Sequence, residues 1–443
     1  MEDEIAPLPI RIVVTDDLER SRVTVFFRLL LAIPHLIVVA LYGIAAAAVS
    51  IILWLAIVIE GKAPESLQSF VASYLRYSVQ VSAYLNLAAQ PYPSFGGGKG
   101  YPVDLEIVPS PRQSRGRAAF RLVLAIPVML IAAALGGGSS FGNFSWFASQ
   151  RTDTEWTSVG WGGGGIVVAA AFLAWFASLA RGRTPRGLRD LIAYGIAYTA
   201  QAVGYLLLVT DGYPTSDPSR VLPYAALPAH PVRLELTDSL ERSRLTVFFR
   251  LLLAIPHLIW LSLWGILTLL AVLVAWFAAL ATGRVPLALH RFIAAWVRYS
   301  MHVGAFLFIV GGPFPGFVGA DGSYPVSVAI DPPQRQRRAV TFFRIWLAIP
   351  ALILGAAYTG VTWLVGLLGW WAALFTGRMP EGLRNLGAVG LRYSAQANAY
   401  VFLLTERYPY AAPAVRDRPR DEQLELELEL EPPTDGFAGV EPA

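Results

Sequence analysis

Long apolar segments alternate along the chain with short polar and charged stretches. The ranges 24–59, 246–282 and 340–376 contain no acidic residue, and the basic residues inside them are Arg28, His35, Arg250, His257 and Arg344. Segments of this length without acidic groups are typical of helices that have lipid as their solvent. The pattern therefore predicts a mainly helical membrane protein.

One sequence unit is repeated along the chain. The string LERSRVTVFFRLLLAIPHLI at 18–37 returns as LERSRLTVFFRLLLAIPHLI at 240–259, and weaker copies end at Pro127 and Pro350. Repetition of this kind indicates copies of one supersecondary unit. The predicted boundaries are 9–95, 101–215 with an inserted loop at 137–165, 230–317 and 324–410, followed by an acidic tail at 411–443.

Each repeat opens with a short stretch in which apolar and polar residues alternate, at 9–14, 103–109, 232–238 and 326–332. Alternation with period two predicts a half-buried strand. Because a single strand is not stable, the four strands are expected to form one small sheet outside the bilayer. The segment 424–430 has the same period, and it is either an added edge strand or part of an acidic disordered tail.

The length of the apolar segments limits how they cross a membrane. As one helix, residues 22–59 extend about 57 Å, whereas a hydrocarbon core is about 30 Å thick. The segment must therefore bend or lie partly flat. Gly43, Gly136 and Gly265 occupy equivalent places, and the insertion of the second repeat begins directly after Gly136. This favours a transmembrane hairpin of two spans in each repeat.

A third helix is predicted after a basic turn that contains glycine and proline, as at 61–64. It mixes aromatic residues with Gln68, Arg76 and Gln80. We expect it to be an amphipathic helix in an interfacial or re-entrant position, which gives eight spans. If it crosses the membrane, consecutive repeats are inverted and the number of spans is twelve.

Charge predicts the orientation. Basic residues flank both ends of every predicted hairpin, so both ends, the strands and the C-terminal tail are expected on the cytoplasmic side of the cell membrane. Residues 416–443 hold nine acidic and three basic residues, which leaves a net charge of +10 on the remainder. This surplus beside apolar segments favours anionic lipids over nucleic acid as the partner. The acidic start of the chain does not resemble a signal peptide.

Arginines inside apolar helices are the first candidate functional residues. The FFR arginines lie six positions before a proline, and related arginines lie on the third helices: Arg28, Arg121, Arg250 and Arg344, with Arg76, Arg298 and Arg392. The favoured interpretation is that the FFR arginines extend to lipid headgroups. A joint site for anionic lipid or a solute anion, and ion pairs with carboxylates such as those of Glu19 or Glu241, are alternatives.

Other chemistry is poorly supported. The chain contains no cysteine, and His35, His257 and His302 lack the spacing of a metal site. Glycine-rich segments lack the ending of a phosphate loop, and no serine lies in a nucleophile motif. Trp54, Trp276 and the pair at 370–371 are expected to anchor helices at the membrane interface. We therefore predict no metal, no cofactor and no catalysis.

The combined signature of FFR-x5-P, a G[KR]-x-P turn, RYS-x5-AY and a closing YP resembles the domain-of-unknown-function family 4389, whose members are multi-pass membrane proteins common in actinobacteria. The second repeat departs from it at Ala197 and the third at Phe306. The resemblance implies membrane location and four tandem repeats, and it implies no activity.

These patterns favour a membrane scaffold that binds lipid or an unknown protein partner. The alternative is a transporter or channel for a small anion or another solute, since duplicated units are common in transporters.

Overall fold

The computed structural model describes residues 8–136, 165–225 and 227–414. Within these ranges the chain is mainly helical, and the predicted strand at the start of each repeat is confirmed: β1 is Ile10–Val14, β2 Val103–Ile107, β3 Val232–Leu236 and β4 Val326–Ile330. Residues 137–164 of the predicted inserted loop and the tail from residue 415, which includes the segment 424–430, lie outside the described residues.

Long apolar helices, here called the outer helices, follow the strands. In the first repeat the outer helix is α1 (Arg22–Glu60), and it is followed along the chain by α2 (Glu65–Leu85). In the later repeats the outer helices are α3 (Arg115–Ala119) with α4 (Arg121–Gly136) and α5 (Ile166–Arg181), α8 (Arg244–Phe248) with α9 (Arg250–Thr282), and α11 (Arg338–Phe342) with α12 (Arg344–Thr376). Helices α1, α9 and α12 are long and apolar enough to cross a membrane.

The predicted hairpin is wrong for repeats 1, 3 and 4, because α1, α9 and α12 continue through their central glycines. At Gly43 the glycine serves packing, since an added Cβ would lie 3.0 Å from the Tyr74 hydroxyl oxygen. One glycine costs a helix only about 1 kcal/mol, which its many leucines, isoleucines and alanines offset. The outer helices end instead at Gly61, Gly182, Gly283 and Gly377, whose φ values of 69 to 74° suit glycine.

The inner helices are α2, α6 (Arg186–Leu206), α10 (Leu287–Leu307) and α13 (Glu381–Val401). Each runs back along its own outer helix, so that Tyr77 of α2 meets His35 and Tyr84 meets Arg28. The interfacial or re-entrant position predicted for them is untested, and α6 is buried without interruption from Arg189 to Tyr205. Their polar side chains bond to neighbouring loops, as Gln68 does to the carbonyl of Val209 at 3.0 Å.

The strands form two antiparallel pairs, β1 with β2 and β3 with β4, so the expected single sheet is wrong. Ile12 lies opposite Leu105, and Leu234 lies opposite Val328. The strands pair in this way because each packs on the inner helix of the other repeat in its pair: β1 on α6, β2 on α2, β3 on α13 and β4 on α10. Two repeats are therefore the structural unit.

Reciprocal tryptophan contacts join the two repeats of each pair. The Trp54 indole N–H donates to the carbonyl of Ala118 at 3.0 Å, and that of Trp175 donates to Val25 at 3.1 Å. The second pair has the same contacts, from Trp276 to Thr341 and from Trp370 to Val247. The start of one outer helix thus lies beside the end of the other, and a pseudo-two-fold axis passes through the sheet. Interfacial anchoring by these tryptophans stays a prediction.

Each pair is built in three layers, with the outer helices, then the inner helices, then the two-stranded sheet. The two pairs meet where α12 packs on α4 and α5. Within the fourth repeat, Tyr358 of α12 stacks on Tyr393 of α13 with ring centroids 4.8 Å apart, and the Tyr358 hydroxyl donates to the carbonyl of Ala411 at 2.6 Å. A short helix, α7 (Pro218–Val221), lies in the linker between the pairs.

Candidate functional site

The four FFR arginines occupy equivalent buried positions. Each is at most 2% exposed, and each lies at the C-terminal end of the inner helix of its own repeat. Nη1 of Arg28 donates to the carbonyls of Tyr84 and Ala89, and Nη1 of Arg250 donates to that of Phe306 at 2.8 Å. Because carbonyls concentrate negative charge at a helix C-terminus, a buried cation is stabilised there.

An aromatic ring completes each arginine site. The guanidinium carbon lies 4.1 to 4.8 Å from the centroid of Tyr84, Tyr205, Phe306 or Tyr400. This distance is typical of a cation–π contact. The departure at Phe306 is explained, because the arginine uses the ring face and does not need the hydroxyl group.

A second element of the site was missed by the sequence analysis. The residue two positions after each inner helix has a φ of 62 to 65°, which is unusual for a residue with a bulky side chain. These four residues are Leu87, Leu208, Ile309 and Leu403. The carbonyl of each accepts a hydrogen bond from the side chain eight positions before the FFR arginine: Arg20, Gln113, Arg242 and Gln336. The constant spacing of eight was the signal that could have revealed this contact.

These contacts bear on two interpretations of the FFR arginines. The four guanidinium groups are enclosed by protein, and their predicted extension to lipid headgroups is untested. Pairing with a carboxylate is found for Arg121, whose Nη2 lies 3.1 Å from an Asp211 oxygen, and the described contacts of these arginines include none to Glu19 or Glu241. Two further buried ion pairs join Arg20 to Asp16 at 2.7 Å and Arg242 to Asp238 at 2.6 Å.

The structure also separates Arg28 from Arg121. Trp54 bonds to Ala118, three residues before Arg121. Trp54 itself lies about 39 Å along α1 from Arg28, at 1.5 Å per residue. The two arginines therefore lie near opposite ends of their helix pair. Direct contact of the individual arginines with an anion or lipid stays a prediction.

The arginines of the inner helices hold backbone segments. Arg76 donates to the carbonyl of Leu105 in β2, and Arg298 donates to that of Val328 in β4 at 2.9 Å. Arg392 donates to the carbonyls of Tyr410 and Ala412. These side chains fasten strands or the closing loop to the inner helices, and their predicted contact with lipid or anions is untested.

The histidines also lie in separate packed environments. His35 and His257 bond through Nδ1 to the hydroxyls of Tyr77 and Tyr299, at 2.7 and 2.8 Å. Burial lowers the pKa of His230 and of His302 to about 4, so both are neutral at physiological pH. Among the described residues there is no group of three or more His, Cys, Asp or Glu side chains that could hold a metal ion.

The surface has two contrasting faces. The outer helices expose large apolar side chains along their whole length, as shown in α1 by Phe26 at 61%, Ile44 at 65% and Ile59 at 68%. On the opposite side, each sheet carries an exposed ion pair. Arg11 pairs with Glu106 in the first sheet, and Arg233 pairs with Asp331 at 2.9 Å in the second.

The fold and these sites define a mainly helical, tandem-repeat protein with candidate membrane helices. The chain belongs to the family described as domain of unknown function (DUF4389), whose model matches residues 22–96, 159–216, 244–315 and 338–412. These are four tandem matches, as the repeated signature predicted. No curated protein and no solved structure matches the chain.

Proposed function

We propose that the protein is a membrane scaffold without catalysis. The outer helices hold it in the cell membrane, and the strands and acidic tail face the cytoplasm, where they meet a protein partner. The single observation that carries the proposal is the contrast between the two faces. A continuous apolar surface suits lipid, and exposed ion pairs on the sheets suit water.

The use of the buried polar groups supports a structural role. The guanidinium groups of Arg28 and Arg250 cap inner helices, and Arg298 fastens a strand. A catalytic or transport site needs polar groups that remain available to a substrate. Here these arginines already donate to the protein's own backbone.

Reconstitution distinguishes a scaffold from the alternative, a transporter. The purified protein is incorporated into vesicles that contain an entrapped fluorescent anion, and its flotation with the vesicles and the release of the anion are measured. The proposal predicts that the protein floats with the vesicles and that no more anion is released than from protein-free vesicles loaded with the same anion. Rapid release that scales with the amount of protein would favour a transporter and overturn the scaffold.

A further inference from the structure

We propose that the protein lies in a single leaflet, with its outer helices nearly parallel to the membrane plane, and that it binds anionic lipid headgroups through basic clusters at both ends of each outer-helix pair. This inference rests on the proposed membrane function and adds the mode of insertion. Four observations carry it: helix length, the position of the sheets, the position of the basic residues and the shape of the buried stripe.

Helix length argues against crossing. Helix α1 has 39 residues and α9 and α12 have 33 each, and each of the three is one continuous helix. At 1.5 Å per residue they are about 58 and 50 Å long, and fitting them into a core of about 30 Å requires a tilt above about 50°. Transmembrane helices are tilted by at most about 40°. Crossing would leave much of the apolar surface in water.

The position of the sheet gives the strongest argument. Arg76 of α2 bonds to Leu105 of the sheet, and the next residue, Tyr77, bonds to His35 of α1. His35 lies about 20 Å from the start of α1, and in a crossing helix this point is inside the hydrocarbon core. The Arg11–Glu106 ion pair and the sheet edges would then face lipid, where unpaired backbone groups are not tolerated. Lying flat places the sheet in water.

Exposed basic residues occur at both ends of the antiparallel outer helices. In the first pair of repeats, one cluster contains Arg22, Arg181 and Arg183, and the other contains Lys62, Arg112, Arg115 and Arg117. Backbone bridges from Glu19 to Arg183 and from Lys62 to Arg112 hold these ends together. If α1 crossed the membrane, one cluster would lie outside, against the preference of basic residues for the cytoplasmic side. In a flat orientation both clusters reach the same headgroup layer.

The buried stripe of the outer helices fits partial immersion. In α1 the buried positions follow a helical spacing on one narrow side, from Val25 and Ala32 to Leu53 and Ile57, and the remaining surface is largely exposed. A helix with side chains is about 10 Å wide, which is less than one leaflet of about 15 Å. The outer helices can therefore be immersed in lipid, with the inner helices covering their water-facing side.

Single cysteines in this cysteine-free chain test the orientation. The variants Asp17→Cys, Lys62→Cys, Glu106→Cys and Ile44→Cys are expressed in bacteria and treated with a membrane-impermeant maleimide, in intact cells and in inverted membrane vesicles. Positions 17 and 62 flank α1, position 106 lies on the sheet, and position 44 lies on the apolar face. We expect labelling of the first three only in inverted vesicles, and of Ile44→Cys in neither preparation.

The outcomes separate the inference from the proposed function. If the protein stays in membranes but positions 17 and 62 label from opposite sides, α1 crosses and the single-leaflet orientation is overturned while the scaffold stands. If the protein is found in the soluble fraction and Ile44→Cys labels freely, membrane attachment itself is wrong. Unfolding is monitored through Trp fluorescence, which should match the unsubstituted protein in all four variants.

The lipid preference is tested with vesicles of phosphatidylcholine, with and without phosphatidylglycerol. Each basic residue near an anionic surface contributes roughly a fivefold change in affinity. The combined variant Lys62→Gln, Arg112→Gln and Arg115→Gln should lose on the order of a hundredfold in affinity for anionic vesicles and little for neutral ones. Arg11→Gln, on the sheet face, is the control and should leave the affinity for both kinds of vesicle unchanged. Equal affinity of the triple variant and the parent for anionic vesicles would overturn the headgroup site.

Discussion

The outer helices and the sheets belong to the same repeats, yet they face opposite environments. Along α1 a narrow stripe contacts the protein, and the rest of the helix exposes leucine, isoleucine and phenylalanine. On the first sheet, Ile12 and Leu105 face the inner helices, and Arg11 and Glu106 face outward. The apolar face and the polar face therefore lie on different layers of the pair of repeats. The pair as a whole is amphipathic, whereas no single helix has one side in each environment.

The largest effect is expected from charges placed on the apolar face. Ile44 and Ile266 are exposed by 65% and 60% near the centres of α1 and α9. In the variant Ile44→Asp with Ile266→Asp, each charge costs about 2.5 to 3.5 kcal/mol in lipid, which lowers vesicle affinity by roughly a thousandfold or more. Flotation with vesicles measures the loss. The control, Thr15→Asp with Thr237→Asp beside the sheets, should float normally, and equal losses in both variants would remove the distinction between the faces.

A smaller effect is expected from a buried arginine between the faces. Arg28→Met removes the charged donor that bonds to the carbonyls of Tyr84 and Ala89, which should lower the free energy of unfolding by roughly 3 to 5 kcal/mol, since each hydrogen bond to a charged group contributes about 1.5 to 3 kcal/mol. Arg22→Met is the matched control, since Arg22 is exposed on the same helix. Unfolding by SDS titration in mixed micelles gives both values. Similar small losses would mean that Arg28 does not hold the inner helix.

The reciprocal tryptophan contacts should contribute less. Trp54→Phe keeps an aromatic ring but removes the donor to the Ala118 carbonyl, so we expect a loss of about 1 kcal/mol in the free energy of unfolding. Trp371→Phe is the control, because Trp371 is 49% exposed and stacks on Phe375. The same SDS titration applies. If the two variants lose equal stability, the contact between repeats is not what Trp54 provides.

The smallest effect is expected on the sheet face. Glu106→Gln removes an exposed ion pair with Arg11, which is worth about 0.2 to 1 kcal/mol at low salt and less at high salt. Urea unfolding at two salt concentrations measures the change. Affinity for anionic vesicles should stay constant, and a clear rise in it would show that the sheet contacts the membrane, because the variant has lost a negative charge there.

Local sequence patterns predicted the secondary-structure elements, but they did not predict the contacts between residues that are distant in the sequence. The strands were recognisable because alternation at Ile10–Val14 is a property of neighbouring residues. The hairpin was wrong because Gly43 was interpreted as a break, whereas its function is to admit Tyr74. The FFR arginines were recognised as unusual, but the partners of Arg28 lie 56 and 61 residues further along the chain, where only the fold reveals them.

The orientation of the outer helices can be measured directly by polarised infrared spectroscopy of the protein in aligned bilayers. The inner helices run along the outer helices, so nearly all helical amide groups report one direction. The single-leaflet arrangement predicts amide I dichroism with the mean helix axis close to the bilayer plane. A mean axis within about 40° of the bilayer normal, the range of transmembrane helices, would contradict it.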